Sequence, residues 1–290
     1  MTRRPNLFIV GAPKCGTTSL ARYLGAHPDV FMSTPKEPFH FSPDLHPNAR
    51  FRDEAAYLGL FAQTNASVRG EASTWYLYSQ VAAPRIRSFD PDARLIVMLR
   101  NPADMLPSLH AQFRWNEMEP EVDFERAWRL QDKRPRNRFL QYRAIASFGE
   151  QLDRLYSVFP PEQVQVVFMQ DFRADTLSVY RRTLEFLGLD DDGRKTFEVV
   201  NARKTPRSKL LHRLVRDTPA PLAWMARAAK KALGLRKLGI LARVERMNIR
   251  RVEAQKISEE LRAEIKAALA PDVRRLEEIT GRDLRDWLPR

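Results

Sequence analysis

The sequence predicts an α/β protein: a doubly wound parallel sheet flanked by helices, with a P-loop-like opening unit and a helical C-terminal region. Three observations carry that class. The fully apolar run Leu7–Val10 is stopped by Gly11 and gives way, after a short turn, to a helical pattern from Thr17. Strand, glycine-containing turn and helix in that order open a mononucleotide-binding fold. Apolar runs then alternate with amphipathic stretches as far as residue 200, which calls for parallel strands joined by helical crossovers. Finally, 290 residues that are 43% hydrophobic and 10% aromatic supply a large core without disulfide or metal staples.

Taken in order, Leu7–Val10 reads as a buried strand, because a short run that is apolar at every position has no solvent face. Thr17 to Ala26 places Leu20, Tyr23 and Leu24 on one helical face. Phe31-Met32 predicts a second short strand before a loop carrying Pro35, Pro38, Pro43 and Pro47. Val68–Glu71 and Arg94–Arg100 are the next strands, separated by a helix near 79–89. Leu95-Ile96-Val97-Met98-Leu99 is the strongest buried-strand signal, and it ends in Arg100. Amphipathic helices are expected at 103–115, 123–131 and 137–158, a strand at Val164–Phe168, and a helix from Asp171 to Leu187. Beyond Asn201 no strand pattern returns and the tail reads as helical. The expected organisation is a core over 1–202, followed by a basic helical lid and C-terminal helices over 203–290, packed on the same domain.

Charge is distributed unevenly. The chain holds 49 Lys+Arg against 36 Asp+Glu, a formal net charge of +13. Residues 203–251 contain fifteen cations and two anions, which leaves 34 of each sign in the other 241 residues. A neutral body with one basic segment is not the pattern of a generally basic nucleic-acid binder. No helix-turn-helix, RRM-type or zinc signature points to nucleic acid either. A single cysteine, Cys15, forbids an internal disulfide and a cysteine-based zinc cluster. No run of 18 apolar residues exists, and residues 1–10 are too short in apolar content for a secretory leader, so the cytoplasm is the expected compartment.

Gly11-Ala12-Pro13-Lys14-Cys15-Gly16-Thr17-Thr18 lies between the first strand and the first helix. Such a turn aims free backbone N–H groups and the positive end of the helix dipole at one point, which attracts anions by ~0.3–2 kcal/mol from the dipole alone. Gly16 permits close approach of a ligand, Thr17 and Thr18 add hydroxyl donors, and Lys14 adds a mobile charge. A Walker A loop reads G-x-x-x-x-G-K-[ST]. Here the glycines are correctly spaced, but Thr17 occupies the lysine position and Lys14 lies two residues before Gly16. The strong strand at 95–99 ends in Arg100, where a Walker B motif would place an Asp for Mg²⁺. This combination suits a nucleotide with more than one phosphate group held without metal, and disfavours ATP chemistry.

Pro13-Lys14-Cys15-Gly16-Thr17-Thr18-Ser19-Leu20 resembles the 5′-phosphosulfate loop of the sulfotransferases that use 3′-phosphoadenosine 5′-phosphosulfate (PAPS). Ile96-Val97-Met98-Leu99-Arg100-Asn101-Pro102, with Ser108 eight residues after Arg100, resembles that family's 3′-phosphate motif. An arginine fork and a hydroxyl are suited to clamping a terminal phosphate. Further likeness lies in Lys36-Glu37-Pro38-Phe39-His40-Phe41, Gly70-Glu71-Ala72-Ser73 and Arg274-Arg275-Leu276…Gly281-Arg282…Trp287. The Lys-Glu-Pro segment is closer to bacterial and carbohydrate-type sulfotransferases than to the steroid and phenol enzymes, which use histidine as base. The resemblance implies PAPS as co-substrate, released as 3′,5′-adenosine bisphosphate, and no metal. Its implied contacts are Lys14, Cys15, Gly16, Thr17, Thr18, Ser19, Arg100 and Ser108.

Sulfuryl transfer moves an electrophilic group in line between two oxygens, so the protein supplies position, charge stabilisation and a base. Lys14 is the candidate for stabilising the departing phosphate oxygen. Glu37 is the candidate base, a role that contributes ~10²–10⁴-fold; its plainer alternative is a loop carboxylate paired with Lys36. His40 is the rival base, although a lone loop histidine is ordinarily just solvated. On the acceptor side stand Lys36, His40, Glu71 and Trp75. The aromatic groups Trp75-Tyr76-Leu77-Tyr78 and Phe113-Arg114-Trp115 line a cleft or, more simply, pack in the core. Cys15 reads first as a small residue in a tight turn; in an anion-binding loop it is also expected to have a lowered pKa and an oxidation-sensitive thiol.

Arg203 to Lys209 holds four cations in seven residues, where the family closes a basic loop over the 3′-phosphate. Lys204 and Arg207 are assigned there by resemblance alone, since the stretch lacks the family's glycine pattern. Residues 221–251 interleave apolar side chains with Arg and Lys, as in a basic amphipathic helix pair. Such a segment suits a lid, a peripheral contact with an anionic membrane, or a cover for a lipid-linked or acidic acceptor. The expected function is sulfuryl transfer from PAPS to a hydroxyl or amine of a small-molecule, carbohydrate or lipid-linked acceptor. The alternatives are an atypical P-loop kinase and a non-catalytic binder of membrane or polyanion.

Overall fold

A computed structural model describes residues 3–198, 204–206, 249–251 and 256–289. Strands β1 (Leu7–Gly11), β2 (Val30–Met32), β3 (Val68–Ala72), β4 (Arg94–Leu99) and β5 (Val164–Phe168) form one sheet in the order β2-β3-β1-β4-β5. Every pairing in it is parallel. The chain therefore leaves β1 towards one side of the sheet and later leaves β4 towards the other. In a doubly wound sheet the crevice where connections diverge, at the carboxyl ends of such neighbouring strands, is where ligands bind. β1 and most of β4 are buried along their length, which accounts for their uninterrupted apolar sequence.

The helices are α1 (Thr17–Leu24), α2 (Glu54–Leu58), α3 (Ala82–Phe89), α4 (Pro102–Trp115), α5 (Phe124–Leu130), α6 (Tyr142–Ala146), α7 (Phe148–Tyr156), α8 (Met169–Ala174), α9 (Thr176–Phe186) and α10 (Glu259–Thr280). Two expected long helices are in fact divided. The stretch 137–158 contains a 3₁₀ turn (Arg138–Leu140), then α6 and α7, with the break at Ser147. The first amides of α7 are satisfied from outside: Gly149 and Glu150 N–H each donate to the Asp272 carboxylate of α10 at 2.9 Å. The stretch from Asp171 breaks at Asp175, which accepts from Ser178 N–H at 2.9 Å and so caps α9. In both cases capping outweighs a continuous amphipathic pattern.

α10 starts at a capping serine, Ser258, and stops at Gly281 in the left-handed region. It buries Leu261, Ile265, Leu269, Val273 and Leu276, one face at helical spacing. That face packs near α7 and α4, and Arg275 binds Asp153 of α7 through Nε at 2.7 Å and Nη2 at 3.0 Å. No helix among the described residues is long and apolar enough to cross a membrane.

The chain divides into two units, Met1–Glu198 with Gln255–Arg290, and Val199–Ala254. In the second, strands β6 (Lys204–Pro206) and β7 (Ile249–Arg251) pair antiparallel, with Lys204 opposite Arg251. This corrects the expectation that no strand follows Asn201. Three-residue strands are too short to write an alternating pattern into the sequence. Arg203 and residues 207–248 of the basic segment, Arg207 among them, lie outside the described residues.

Candidate active site

β1 delivers the chain to the carboxyl edge of the sheet at Gly11, where space is scarce. A Cβ on Gly11 would stand 2.7 Å from Leu77 Cβ and 3.3 Å from the Thr74 carbonyl oxygen. Leu77 N–H donates to the Val10 carbonyl at 2.8 Å, so the segment after β3 is laced directly to the start of the loop. On the other side Ala12 N–H donates to the Met98 carbonyl at 2.7 Å, which fastens the loop to β4. Gly16 then takes φ 93°, a left-handed conformation natural to glycine, and α1 begins without any side-chain cap. The first amides of a helix lack the usual acceptor one turn back; here Ser19 N–H turns to the Gly16 carbonyl at 2.9 Å. An uncapped N-terminus beside two threonine hydroxyls and a lysine is a donor set that fits a phosphate or phosphosulfate group. Lys14 is half-buried and left-handed, φ 64°. For a residue with a Cβ that costs ~1–3 kcal/mol, a strain that persists where the surroundings fix it and that concentrates at functional sites.

Arg100 follows β4 immediately and is half-buried. Its backbone N–H and its charge both act on the Cys15 thiol, as does the Lys14 ammonium, so Arg100 and the loop share one corner of the sheet edge. Asn101 accepts from Ala103 N–H at 3.0 Å and caps α4, which starts on a proline. Ser108 lies on the buried side of that helix. Ser19 and Thr17 are buried, while Thr18 is more open.

Cys15 corrects an expectation. Its side chain is 0% exposed, with Sγ 3.5 Å from the Pro13 carbonyl. Burial pushes the thiol up to about 12 against the opposing pull of Arg100 and Lys14. Desolvation outweighs the cations, so the thiol is protonated and shielded, and Cys15 serves the loop as a small, buried packing residue.

The loop after β2 brings the other candidates to the same edge. Glu37 N–H donates to the Ala72 carbonyl at 3.2 Å, which docks the loop on the end of β3. Its Oε1 accepts from Lys36 Nζ at 2.8 Å and from Thr74 Oγ1 at 3.3 Å. Both Lys36 and Glu37 keep just under a third of their side-chain surface in solvent. The pairing with Lys36 is therefore real, but the carboxylate is also held by Thr74, whose backbone abuts Gly11. Glu37 and Phe39 both adopt left-handed backbone, φ 63° and 56°. Like Lys14, Glu37 sits in a conformation that only a fixing environment maintains.

His40 is not solvated as expected. It is buried, stacked on Tyr57 with ring centroids 4.3 Å apart, and its Nδ1 lies 2.7 Å from the Phe51 carbonyl. A carbonyl only accepts, so Nδ1 carries the proton. Burial lowers the pKa of the ring and favours its neutral form. Glu71 does not reach toward an acceptor either. It is 0% exposed, and its carboxylate accepts from Ser73 Oγ at 2.7 Å, Tyr76 Oη at 2.8 Å and Tyr57 Oη at 3.1 Å. Burial raises its pKa to about 7 against the three hydroxyl donors. Trp75 is buried too, stacked on Phe113 at 5.9 Å and edge-on to Phe139 at 4.9 Å, so its packing is that of the core.

Thr74 and Tyr57 are members of this neighbourhood that the sequence did not single out, while Ser73 and Tyr76 stood out only within the family likeness and the aromatic cluster. The one available signal was position: Ser73 and Thr74 directly follow a strand end, where a hydroxyl is well placed to meet the neighbouring loop.

A parallel α/β sheet with a phosphate-type loop between its first strand and first helix, and an arginine at the neighbouring strand end, defines a P-loop-like α/β class. Within that class the sulfotransferase domain matches residues 4–214, and the chain belongs to the sulfotransferase family. A sulfotransferase from Alicyclobacillus acidocaldarius is similar in structure, with 30% identity and a TM-score of 0.71, in a match that covers 98% of this chain and 99% of its own. The human bifunctional heparan sulfate N-deacetylase/N-sulfotransferase 3 is 26% identical over 197 residues, 64% of this chain. The mouse heparan sulfate glucosamine 3-O-sulfotransferase 6 is 36% identical over 111 residues, 38% of this chain. The chain spans 22% of the length of the first of these relatives and 31% of the second.

Proposed function

We propose that this protein transfers a sulfuryl group from PAPS to a hydroxyl or amine acceptor, with Glu37 as base and Lys14 stabilising the leaving phosphate. The observation that carries the reading is that the uncapped 11–18 loop, Arg100 and the Lys36–Glu37 pair meet at the carboxyl edge of one sheet, on the ends of the neighbouring strands β1, β4 and β3. PAPS supplies an electrophilic sulfuryl group on a leaving phosphate. The amides and hydroxyls of Gly16, Thr17 and Thr18 bind its 5′ end, and Arg100 with Ser108 binds its 3′-phosphate. Lys14 offers its ammonium where negative charge develops, the kind of electrostatic aid that is strongest in a site closed to water. Glu37 takes the proton of the acceptor, and Thr74 and Lys36 hold the carboxylate in place meanwhile. Among acceptor classes, the relatives' names favour a carbohydrate, and an amine or a hydroxyl suits the same base. Lys204 and Arg207 are proposed for the 3′-phosphate side on family likeness.

Calorimetry with 3′,5′-adenosine bisphosphate against ATP·Mg²⁺ tests this reading. Selective binding of the bisphosphate is expected, weakened ~10- to 100-fold by Arg100→Ala through loss of charge-assisted hydrogen bonds. Preference for ATP·Mg²⁺ would overturn the proposal. A panel of sugars, lipids and small alcohols or amines incubated with labelled PAPS then identifies the acceptor.

A further inference from the structure

Glu71 takes no part in the chemistry above, yet it lies at the centre of the contacts that hold the base-bearing loop. Ionised, Glu71 only accepts hydrogen bonds, so Ser73, Tyr76 and Tyr57 each direct their single hydroxyl proton at it. Their oxygen lone pairs are thereby turned the other way. Two of these oxygens meet amides of the loop: Phe39 N–H donates to Ser73 Oγ at 3.2 Å, and Phe41 N–H donates to Tyr76 Oη at 3.3 Å. A third anchor, Glu37 N–H to the Ala72 carbonyl, comes from β3 itself, one residue beyond Glu71. Between these anchors the loop makes its two left-handed turns at Glu37 and Phe39. An exposed loop does not hold such conformations unaided.

We propose that Glu71 is a positioning residue for Glu37. By fixing the proton direction of Ser73 and Tyr76, it makes two hydroxyls into acceptors for the loop amides and locks Lys36–Phe41 in the shape that presents the base. The purpose of the lock rests on the reading of Glu37 as base; the lock itself rests on the hydrogen bonds alone.

The test is amide-resolved hydrogen exchange on the whole protein without ligand. Ser73→Ala is expected to speed exchange at Phe39 about 5- to 10-fold and spare Phe41, the loss of one net hydrogen bond. Tyr76→Phe should do the reverse. Glu71→Gln should speed both, because its amide donates towards the hydroxyls and strands their protons. Tyr57→Phe should speed neither, since among the described residues that hydroxyl bonds only Glu71. Wild-type exchange at both amides in Glu71→Gln overturns the proposal. So does a uniform rise that extends through β1 and β4, the sign of general destabilisation. With an acceptor in hand, Glu71→Gln should lower kcat about 10-fold or more with bisphosphate affinity unchanged, and should add little to Glu37→Gln. A full further loss in that double variant overturns the positioning role. Near-normal turnover by Glu37→Gln overturns the base assignment, and the exchange pattern still decides whether Glu71 holds the loop.

Discussion

Replacing Gly11 by alanine tests how tightly the two halves of the site are fastened together. The new methyl carbon would lie 2.7 Å from Leu77 Cβ, 3.2 Å from Leu77 Cδ2 and 3.3 Å from the Thr74 carbonyl. Carbon atoms in contact prefer about 3.5–4.0 Å, so relief needs a shift of roughly 1 Å. Leu77 Cδ2 can rotate away, but Leu77 Cβ moves only with its backbone. That backbone is tied to Val10 by the hydrogen bond from Leu77 N–H. Overpacking in a core costs ~1–3 kcal/mol, and a clash with an atom fixed to the main chain belongs at the upper end. A thermal melt should then fall by about 6 °C or more. The displaced segment includes Thr74, which holds Glu37, and a 1 Å misplacement near the chemistry costs ~10²-fold in rate. Loss of turnover should therefore exceed the loss of bisphosphate affinity. Leu77→Ala should not rescue the variant, because alanine keeps the offending Cβ. A Gly11→Ala protein with a wild-type melting temperature and turnover would refute the reasoning.

Glu37→Gln should abolish most turnover, by ~10²–10⁴-fold, while isothermal titration shows unchanged bisphosphate binding. Cys15, with its thiol pushed up to about 12 from an ordinary 9.0, should alkylate at pH 8 about a thousandfold more slowly than a free thiol, and readily after denaturation. Rapid labelling of the native protein, read by mass spectrometry, would contradict its burial. Asp272→Ala removes two charge-assisted bonds to the α7 amides and should cost ~2 kcal/mol by denaturant titration, with β1 to β5 intact by circular dichroism.

Long apolar runs were legible in the sequence because burial on both faces leaves them no alternative: β1 and β4 fall where Leu7–Val10 and Leu95–Leu99 place them. The 11–18 loop and Arg100 were legible for the same reason, since each is attached to the end of such a run. Helix continuity over 137–158 was misjudged because the residue that interrupts it, Asp272, lies on a different helix and leaves no local mark. The roles of Glu71 and His40 were hidden in a similar way. A carboxylate and an imidazole near a strand end look like site groups until Tyr57, distant in sequence, is seen to cover both. The Cys15 thiol turned on a magnitude: neighbouring charge and burial pull opposite ways, and sequence reveals only the charge.

The bond from Asp272 to the start of α7 also sets a schedule. The partner of the Gly149 amide is 123 residues further along the chain. At a synthesis rate of ~5–20 residues per second, α7 waits roughly 6–25 s for the helix that completes it. During that interval the parallel strands can pair, but the surface later covered by Ile265, Leu269 and Val273 remains wet. A nascent chain in this state carries an uncovered apolar surface on α7 and α4. A chaperone that shields this apolar surface would act after β5 emerges and before α10 does.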